Sequence, residues 1–401
     1  MRILCLVDGF WPDRAGGISK SVHTEMRWLG RRGVKIVVLS RRLDAASKSL
    51  EEGSDYDLYR YYSPLSRSPF YHLYPLASLA AAGTIKRLHR RYHFDAVYVH
   101  DIWLALALRR SLTQLPTVFT FHASAAKEVD IDIRYGKFGR LGSLAKSGLA
   151  LFSFVERQAL ERASIILTRS EFMTSELHRL YPSIRLEKVK CLPLCVDITR
   201  FCPADDRERI RASLDLLAKR AVLFCARRLV GRMGIENLIG AMEIVVGRFT
   251  DITLQIAGVG YLATRLNQAV QERKIGQQVK VLGFVPEERL IDYYRAADLF
   301  ILPTRELEGF GLATIESLAC GTPVLATPVG ANSEVLQPIG QEFLSDGYDV
   351  HSMATGLIRW ICGGFDPETR ARCRTYCLDH FAQEKVGPLL EQLLGATGGL
   401  N

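Results

Sequence analysis

Short apolar, β-prone runs alternate with stretches of helical spacing along this chain, and the alternation starts afresh near its middle. Residues 2–7 form such a run. A Gly-rich loop follows over 9–17, helical spacing over 19–29, a stop at Gly33 and a second run over 34–40. Residues 96–100 and 117–122 read as further buried strands separated by a helix-like 103–112, and 164–168 continues the series. The pattern restarts with a strand at 221–226, a helix from about 235 to 249, and strands at 253–257, 279–282, 299–302 and 324–326. Alternating strands and helices specify a parallel sheet with crossover helices, so the chain holds two α/β arrays in tandem. The seam at 192–203, LPLCVDITRFCP, has two prolines and suits an extended linker. The length of 401 residues accommodates two such domains of about 200 residues each. Two stretches interrupt the first array. Residues 56–74 are rich in tyrosine, with Arg60 and Arg67 among them, and 134–160 mixes Arg134, Lys137, Arg140 and Lys146 with Leu, Ala and Phe. They read either as a surface loop and a core-covering helix or as a surface that meets membrane or acceptor.

Composition removes several classes. Hydrophobic residues at 48% and charged residues at 24% exclude wholesale disorder, a collagen-like chain and a disulfide scaffold. No apolar run reaches the length of a spanning helix, and the opening MRILCLVDGFW is too short for a secretory core. The nine cysteines lack CxxC pairs, and Cys191 and Cys195 have no second pair to complete a zinc site, so buried thiols in a reducing cytosol are expected. The net charge of +9 is uneven. Residues 1–200 carry 31 Lys and Arg against 19 Asp and Glu, a balance of +12; the remainder carries 21 against 24, a balance of −3. A basic half is either a solvated surface or an attractor of anionic lipid or phosphorylated substrate. No zinc finger or RNP signature is present, so no nucleic-acid partner is expected.

The strongest chemical signal is Glu308-Gly-Phe-Gly-Leu-Ala-Thr-Ile-Glu316, between a strand and an apolar-periodic run. Gly309 and Gly311 let backbone approach a ligand. The amides of Gly311, Leu312 and Ala313 are then the unsatisfied donors of a helix N-terminus, an anion site, and Glu316 lies about one turn further on. A nucleotide-sugar fits this arrangement, with diphosphate on the amides and hydroxyls on the two carboxylates. The same residues also suit an ordinary helix start with acidic neighbours. Arg227, Arg228 and Arg232 lie in the loop after a strand, at the carboxyl edge where α/β sheets bind ligands, and guanidinium pairs bidentately with phosphate. Gly16 and Gly17 occupy the first strand–helix loop, and His122 ends a strand. Dinucleotide and phosphate-loop fingerprints and GxSxG are absent.

Taken together, these residues resemble the retaining glycosyltransferases of family 4. The resemblance runs over nearly the whole chain: Gly16-Gly17, Phe119-Thr-Phe-His122, Val196-Asp197 with Phe201 and Pro203, Arg228-Leu229, Ile256-Ala-Gly-Val-Gly260, Gly283-Phe-Val-Pro286, Glu308-x7-Glu316 and Ala319-Cys-Gly-Thr-Pro-Val324. It implies a GT-B fold, two Rossmann-like domains facing each other across a cleft. The divisions expected are an acceptor domain over 1–195, a nucleotide-sugar domain over 196–375 and a helix over 376–401 crossing back to the first domain. It further implies that Arg228 binds the diphosphate, Glu316 holds the ribose and Glu308 contacts the donor sugar. The amides of Gly311, Leu312 and Ala313 cap the phosphates. Backbone near Val285 contacts the base, Gly17 beside Gly16 approaches the diphosphate, and His122 lies beside the transferring sugar.

One position departs from the family. Where it usually has Lys-Gly, this chain has Met233-Gly234, and either Arg232 or Arg227 supplies the missing charge. The implied reaction is metal-independent, retaining transfer of a hexose from a UDP- or GDP-linked donor to a glycan or lipid-linked acceptor. The leaving diphosphate serves as base, and the donor is a co-substrate, with no other cofactor. The setting implied is cytoplasmic, with peripheral attachment to an anionic membrane face through the basic first domain. The alternative is a nucleotide-sugar sensor of the same fold that binds without turnover.

Overall fold

The computed structural model describes residues 1–401 except 15, 45, 64–78, 113, 140, 141, 218 and 399–401. It contains two compact units. The first comprises Met1–Ile133, Phe138–Cys195 and the chain from Gln383 on; the second comprises Val196–Ala382 together with Arg134–Lys137. The division at Cys195 falls inside the proline-bearing seam.

The first unit is built on eight strands: β1 (Arg2–Leu6), β2 (Lys35–Arg41), β3 (Leu50–Glu51), β4 (Asp57–Tyr61), β5 (Ala96–Val99), β6 (Thr117–Thr120), β7 (Ile165–Thr168) and β8 (Val189–Cys191). Their order is β3-β4-β2-β1-β5-β6-β7-β8, and every pairing is parallel except β3 with β4. Register is set by residues that bury on both faces, as a parallel sheet requires. Leu4, Leu6, Leu39, Val97 and Phe119 face one layer of helices. Ile3, Cys5, Val38 and Tyr98 face the other, made of Val22, Met26 and Leu29 from the helix Gly17–Arg31 and Val386, Leu390 and Leu394 from the helix Gln383–Gly398.

The second unit has β9 (Ala221–Ala226), β10 (Ile252–Ala257), β11 (Val279–Gly283), β12 (Leu299–Leu302) and β13 (Val324–Ala326), all parallel, in the order β11-β10-β9-β12-β13. An aromatic cluster anchors it: the Phe224 ring lies 5.2 Å from Tyr294 and 5.8 Å from Phe300.

Several expectations need revision. The tyrosine-rich stretch does not begin as a surface loop: Asp57–Tyr61 is β4, paired with β2, and Arg60 and Tyr61 are buried. Leu58, Tyr59 and Tyr61 are strand-favouring residues, and Arg60 is buried among them by its ion pairs with Asp13 and Glu51. Residues 64–74 of that stretch, Arg67 among them, lie outside the described residues, as does Arg140. The helix Pro367–Phe381 belongs to the second unit, where Cys373 and Cys377 are fully buried, so the return to the first unit begins at Gln383 rather than at 376. Not all thiols are buried, since Cys191 and Cys362 are exposed.

Candidate functional site

In each sheet the chain grows outward from a central strand in one direction and then in the other. In the second unit this reversal lies between β9 and β12. The carboxyl ends of two strands that diverge in this way leave a crevice suited to a ligand. The residues that follow β9 are Arg227 and Arg228; those that follow β12 lead through Thr304 to Glu308 and the helix Leu312–Ala319.

Glu308 is buried, and its carboxylate forms an ion pair with Arg227. Thr304 Oγ1 donates to Glu308 Oε2 at 2.8 Å and accepts from Arg227 Nη2 at 3.1 Å. Gly311 caps the following helix with φ 88° and ψ 69°, a left-handed conformation that glycine adopts without strain. Thr314 N donates to the Gly311 carbonyl at 2.9 Å. The amides of Gly311, Leu312 and Ala313 precede any partner one helical turn back and supply the positive end of the helix dipole. Glu316 is buried one turn in, where Tyr294 Oη donates to its Oε2 at 2.9 Å. Burial, then the neighbouring Glu316, push the Tyr294 phenol well above its usual value, so it remains a donor. Val285 is half-buried between β11 and the helix Glu287–Ala296, beside the exposed Phe284.

The three arginines differ. Arg228 is exposed at the strand end. Arg232 is buried and donates through Nη1 to the Leu307 carbonyl at 2.9 Å, while its own carbonyl accepts the Arg305 amide at 2.9 Å. It braces the segment that carries Glu308. Arg227 reaches the carboxylate itself. Charge alone made the three equivalent; separating them required the path of the loop. Glu306, just before this segment, forms a bidentate pair with Arg134 at 3.2 and 2.7 Å and accepts from Tyr135 Oη at 3.1 Å.

The first unit reverses between β1 and β5. Gly16 and Gly17 start the helix Gly17–Arg31, and a Cβ at either would meet open space. Nothing in the packing of this loop therefore demands glycine there. His122 follows β6, and its Nε2 lies 3.1 Å from Nδ1 of His100, which follows β5. Burial foremost, and then the Arg169 guanidinium, push the His122 imidazole down to about 3, so it is neutral at pH 7. Arg169 is held beneath by Glu25 at 2.7 Å and by Tyr98 Oη, which accepts from it at 2.8 Å. Asp8 pairs with Arg14 at 2.6 Å and Arg41 at 3.3 Å. Asp101 caps the helix Ile102–Ser111 through the Trp103 and Leu104 amides, both at 2.9 Å. Burial and then Asp8 push the Asp101 carboxyl up to about 7. Sequence reasoning passed over Asp8, His100 and Asp101, although each stands at a strand end as His122 does. Among the described residues no cluster of His, Cys, Asp and Glu is arranged to hold a metal ion.

With this geometry in view, likeness to known proteins is informative. Residues 15–200 match Glycosyltransferase Family 4, and residues 206–378 match Glycosyl transferases group 1. The chain belongs to this family. Its fold is that of sucrose-phosphate synthase from Thermosynechococcus elongatus, with a TM-score of 0.83, 22% identity and 98% of each chain covered. The Anabaena protein HepE in complex with UDP-glucose gives 0.75 at 18% identity, covering 99% of this chain and 100% of that one. Among curated relatives, a GDP-mannose-dependent monoacylated alpha-(1-6)-phosphatidylinositol monomannoside mannosyltransferase from Corynebacterium glutamicum is 34% identical over 188 residues, 45% of this chain and 48% of that one. The chain thus matches about half the length of that relative. A D-inositol 3-phosphate glycosyltransferase from Rhodococcus jostii is 26% identical over 364 residues, 86% of this chain and 76% of that one.

Proposed function

We propose that this glycosyltransferase moves a hexose from a nucleoside diphosphate hexose to a hydroxyl of a glycolipid or glycan acceptor, with retention at the anomeric carbon and without a metal ion. The observation that carries this reading is the crevice of the second unit: two buried carboxylates, Glu308 and Glu316, on either side of a helix N-terminus capped by Gly311, with arginines at the adjoining strand end. Amides and guanidinium groups aimed at one point stabilise the charge that grows on a departing diphosphate. The mannosyltransferase and inositol-phosphate relatives favour a glycolipid or inositol-type acceptor and make GDP-mannose the first donor to try. Neutral His122 is suited to hydrogen-bond a sugar hydroxyl rather than to act as a cation.

A thermal-shift series of UDP, GDP, ADP and CMP, each alone and as its sugar conjugate, tests the donor site. Stabilisation by one nucleoside diphosphate and its hexose conjugate is expected, followed by transfer to a membrane extract in chelator and an α-linked product from an α-linked donor. A donor that binds without slow hydrolysis or transfer would identify a sensor instead.

Membrane attachment is part of the same reading. On the helices Gly142–Ser147 and Leu149–Arg162, Leu144, Leu151 and Phe154 are 69, 55 and 59% exposed. Lys146 and Arg157 are exposed beside them, and Glu156 is turned inward onto Ser124 and Tyr181. Exposed apolar side chains flanked by cations suit an anionic lipid surface. No helix among the described residues is long and apolar enough to cross a membrane.

A further inference from the structure

Of three arginines within six residues, Arg232 braces the Leu307 carbonyl and Arg228 is exposed at the strand end. Arg227 is different. Its side chain is only 9% exposed, as is that of Glu308, with which it pairs. The same Nη2 lies 3.1 Å from Thr304 Oγ1 and 2.8 Å from Met233 Sδ. Its Nε is buried and has no hydrogen-bond partner. A buried guanidinium N–H without an acceptor is rare and calls for an explanation. An arginine offers five donors in a planar fork, and here Nη2 is engaged while the Nε–H beside it is unused.

We propose that Arg227 carries the positive charge that residue 233 lacks, and that its unused N–H takes an oxygen of the donor diphosphate while Nη2 positions Glu308. This rests on the donor-site reading above. The contact with Met233 is the key observation, because it puts the guanidinium at the tip of the 233 side chain. A lysine at 233 would extend two bonds past the sulfur position and drive its ammonium into that guanidinium. Two cations at such a distance repel strongly in a buried setting. Arginine at 227 and lysine at 233 are therefore alternative ways to place one charge beside Glu308, and the uncharged thioether is what Arg227 requires of its neighbour. A thioether is also a weak acceptor, compatible with the N–H that faces it.

The experiment compares GDP and UDP with guanosine and uridine by calorimetry, in wild type, Arg227→Met and Arg227→Met/Met233→Lys. Arg227→Met is expected to lose about tenfold or more in nucleoside diphosphate affinity, the scale of a charge-assisted phosphate contact, with nucleoside affinity little changed. Adding Met233→Lys is expected to restore most of the loss. Wild-type affinity in Arg227→Met, or no recovery in a folded double variant, overturns the proposal. Should the single variant not fold, the double variant, which keeps a cation beside Glu308, is read alone: affinity near wild type supports the proposal, and a tenfold loss overturns it. A wild-type protein that binds neither nucleosides nor diphosphates overturns the donor-site reading and this proposal with it. One that binds nucleosides with no gain from the diphosphate leaves the base site standing and overturns the role of Arg227 alone.

Discussion

Glu308 holds its place through Thr304 and Arg227, and so its chemistry is separable from its packing. Glu308→Gln keeps the shape and the hydrogen bond from Thr304 while removing the charge. Transfer is expected to fall about a hundredfold or more, the scale seen when one preorganised electrostatic contact is lost, and the melting temperature is expected to drop because the buried Arg227 loses its counter-charge; full activity would remove Glu308 from the mechanism. Asp101 allows a second test. Its carboxyl is pushed up to about 7, above the value near 4 of an unfolded chain, so the native state holds a proton that the unfolded state has released. The resulting penalty grows as pH rises from about 4 and is complete above pH 7. Asp101→Asn retains the cap on Trp103 and Leu104 and abolishes the penalty. It should melt higher than wild type at pH 8, with the difference shrinking toward pH 4 in calorimetric scans. The carboxylates of the donor site were legible in the sequence because they flank glycines at a strand–helix junction. Asp101 was not, because a capping Asp after a strand is common and its neighbour Asp8 lies 93 positions away.

The loop from β9 to the helix Ile235–Val246 shows how elements make the crevice. Gly234 has φ 72°, and a Cβ there would lie 1.8 Å from the Pro303 carbonyl oxygen just after β12. The two strand ends approach this closely only because residue 234 has no side chain. Gly234→Ala adds left-handed strain of about 1–2 kcal/mol to a clash with backbone, and a loss of roughly 2 kcal/mol or more is expected by denaturant titration, together with weaker nucleotide binding. The second prediction at this scale concerns Leu151 and Phe154. Replacing both with Ser should leave the melting temperature within a degree or two, since neither is buried, and should abolish sedimentation with anionic vesicles at modest salt. Unchanged sedimentation would remove this helix from the membrane surface. The strands and helices read from periodicity lie within about three residues of those observed, although many of the crossover helices were not read individually. The strands that were missed are instructive: β4 was hidden among tyrosines because aromatic residues serve both strands and surfaces, and β3 and β8, two and three residues long, are too short to show a period.

At the scale of the whole molecule, the first unit is discontinuous in sequence. The helix Gln383–Gly398 supplies Val386, Leu390 and Leu394 to a core otherwise made by residues before 196. A chain stopped after Ala382 loses three buried side chains worth about 1.5–3 kcal/mol each. That sum rivals the stability of an entire domain, so the first unit should lose its cooperative melting transition while the second keeps its own. Retention of both transitions would show the helix to be dispensable. The repeat of the α/β pattern located both units, but the exact point of return lay beyond periodicity, because the helices on either side of Ala382 each bury a face and only their packing shows in which unit. The same discontinuity shapes how the protein is made. On the ribosome, the sheet of the first unit emerges early and must wait for the 383–398 segment to cover its face. At about 5–20 residues per second, the intervening stretch of roughly 190 residues takes some 10–40 s to appear. During that interval the nascent chain carries an apolar sheet face that the helix Gly17–Arg31 covers only in part, while the second unit becomes free to fold before the first is finished. Order of completion thus runs opposite to order of synthesis, and holdase chaperones that shield apolar surface should crosslink to nascent chains of 200–380 residues and release them once the closing helix has emerged.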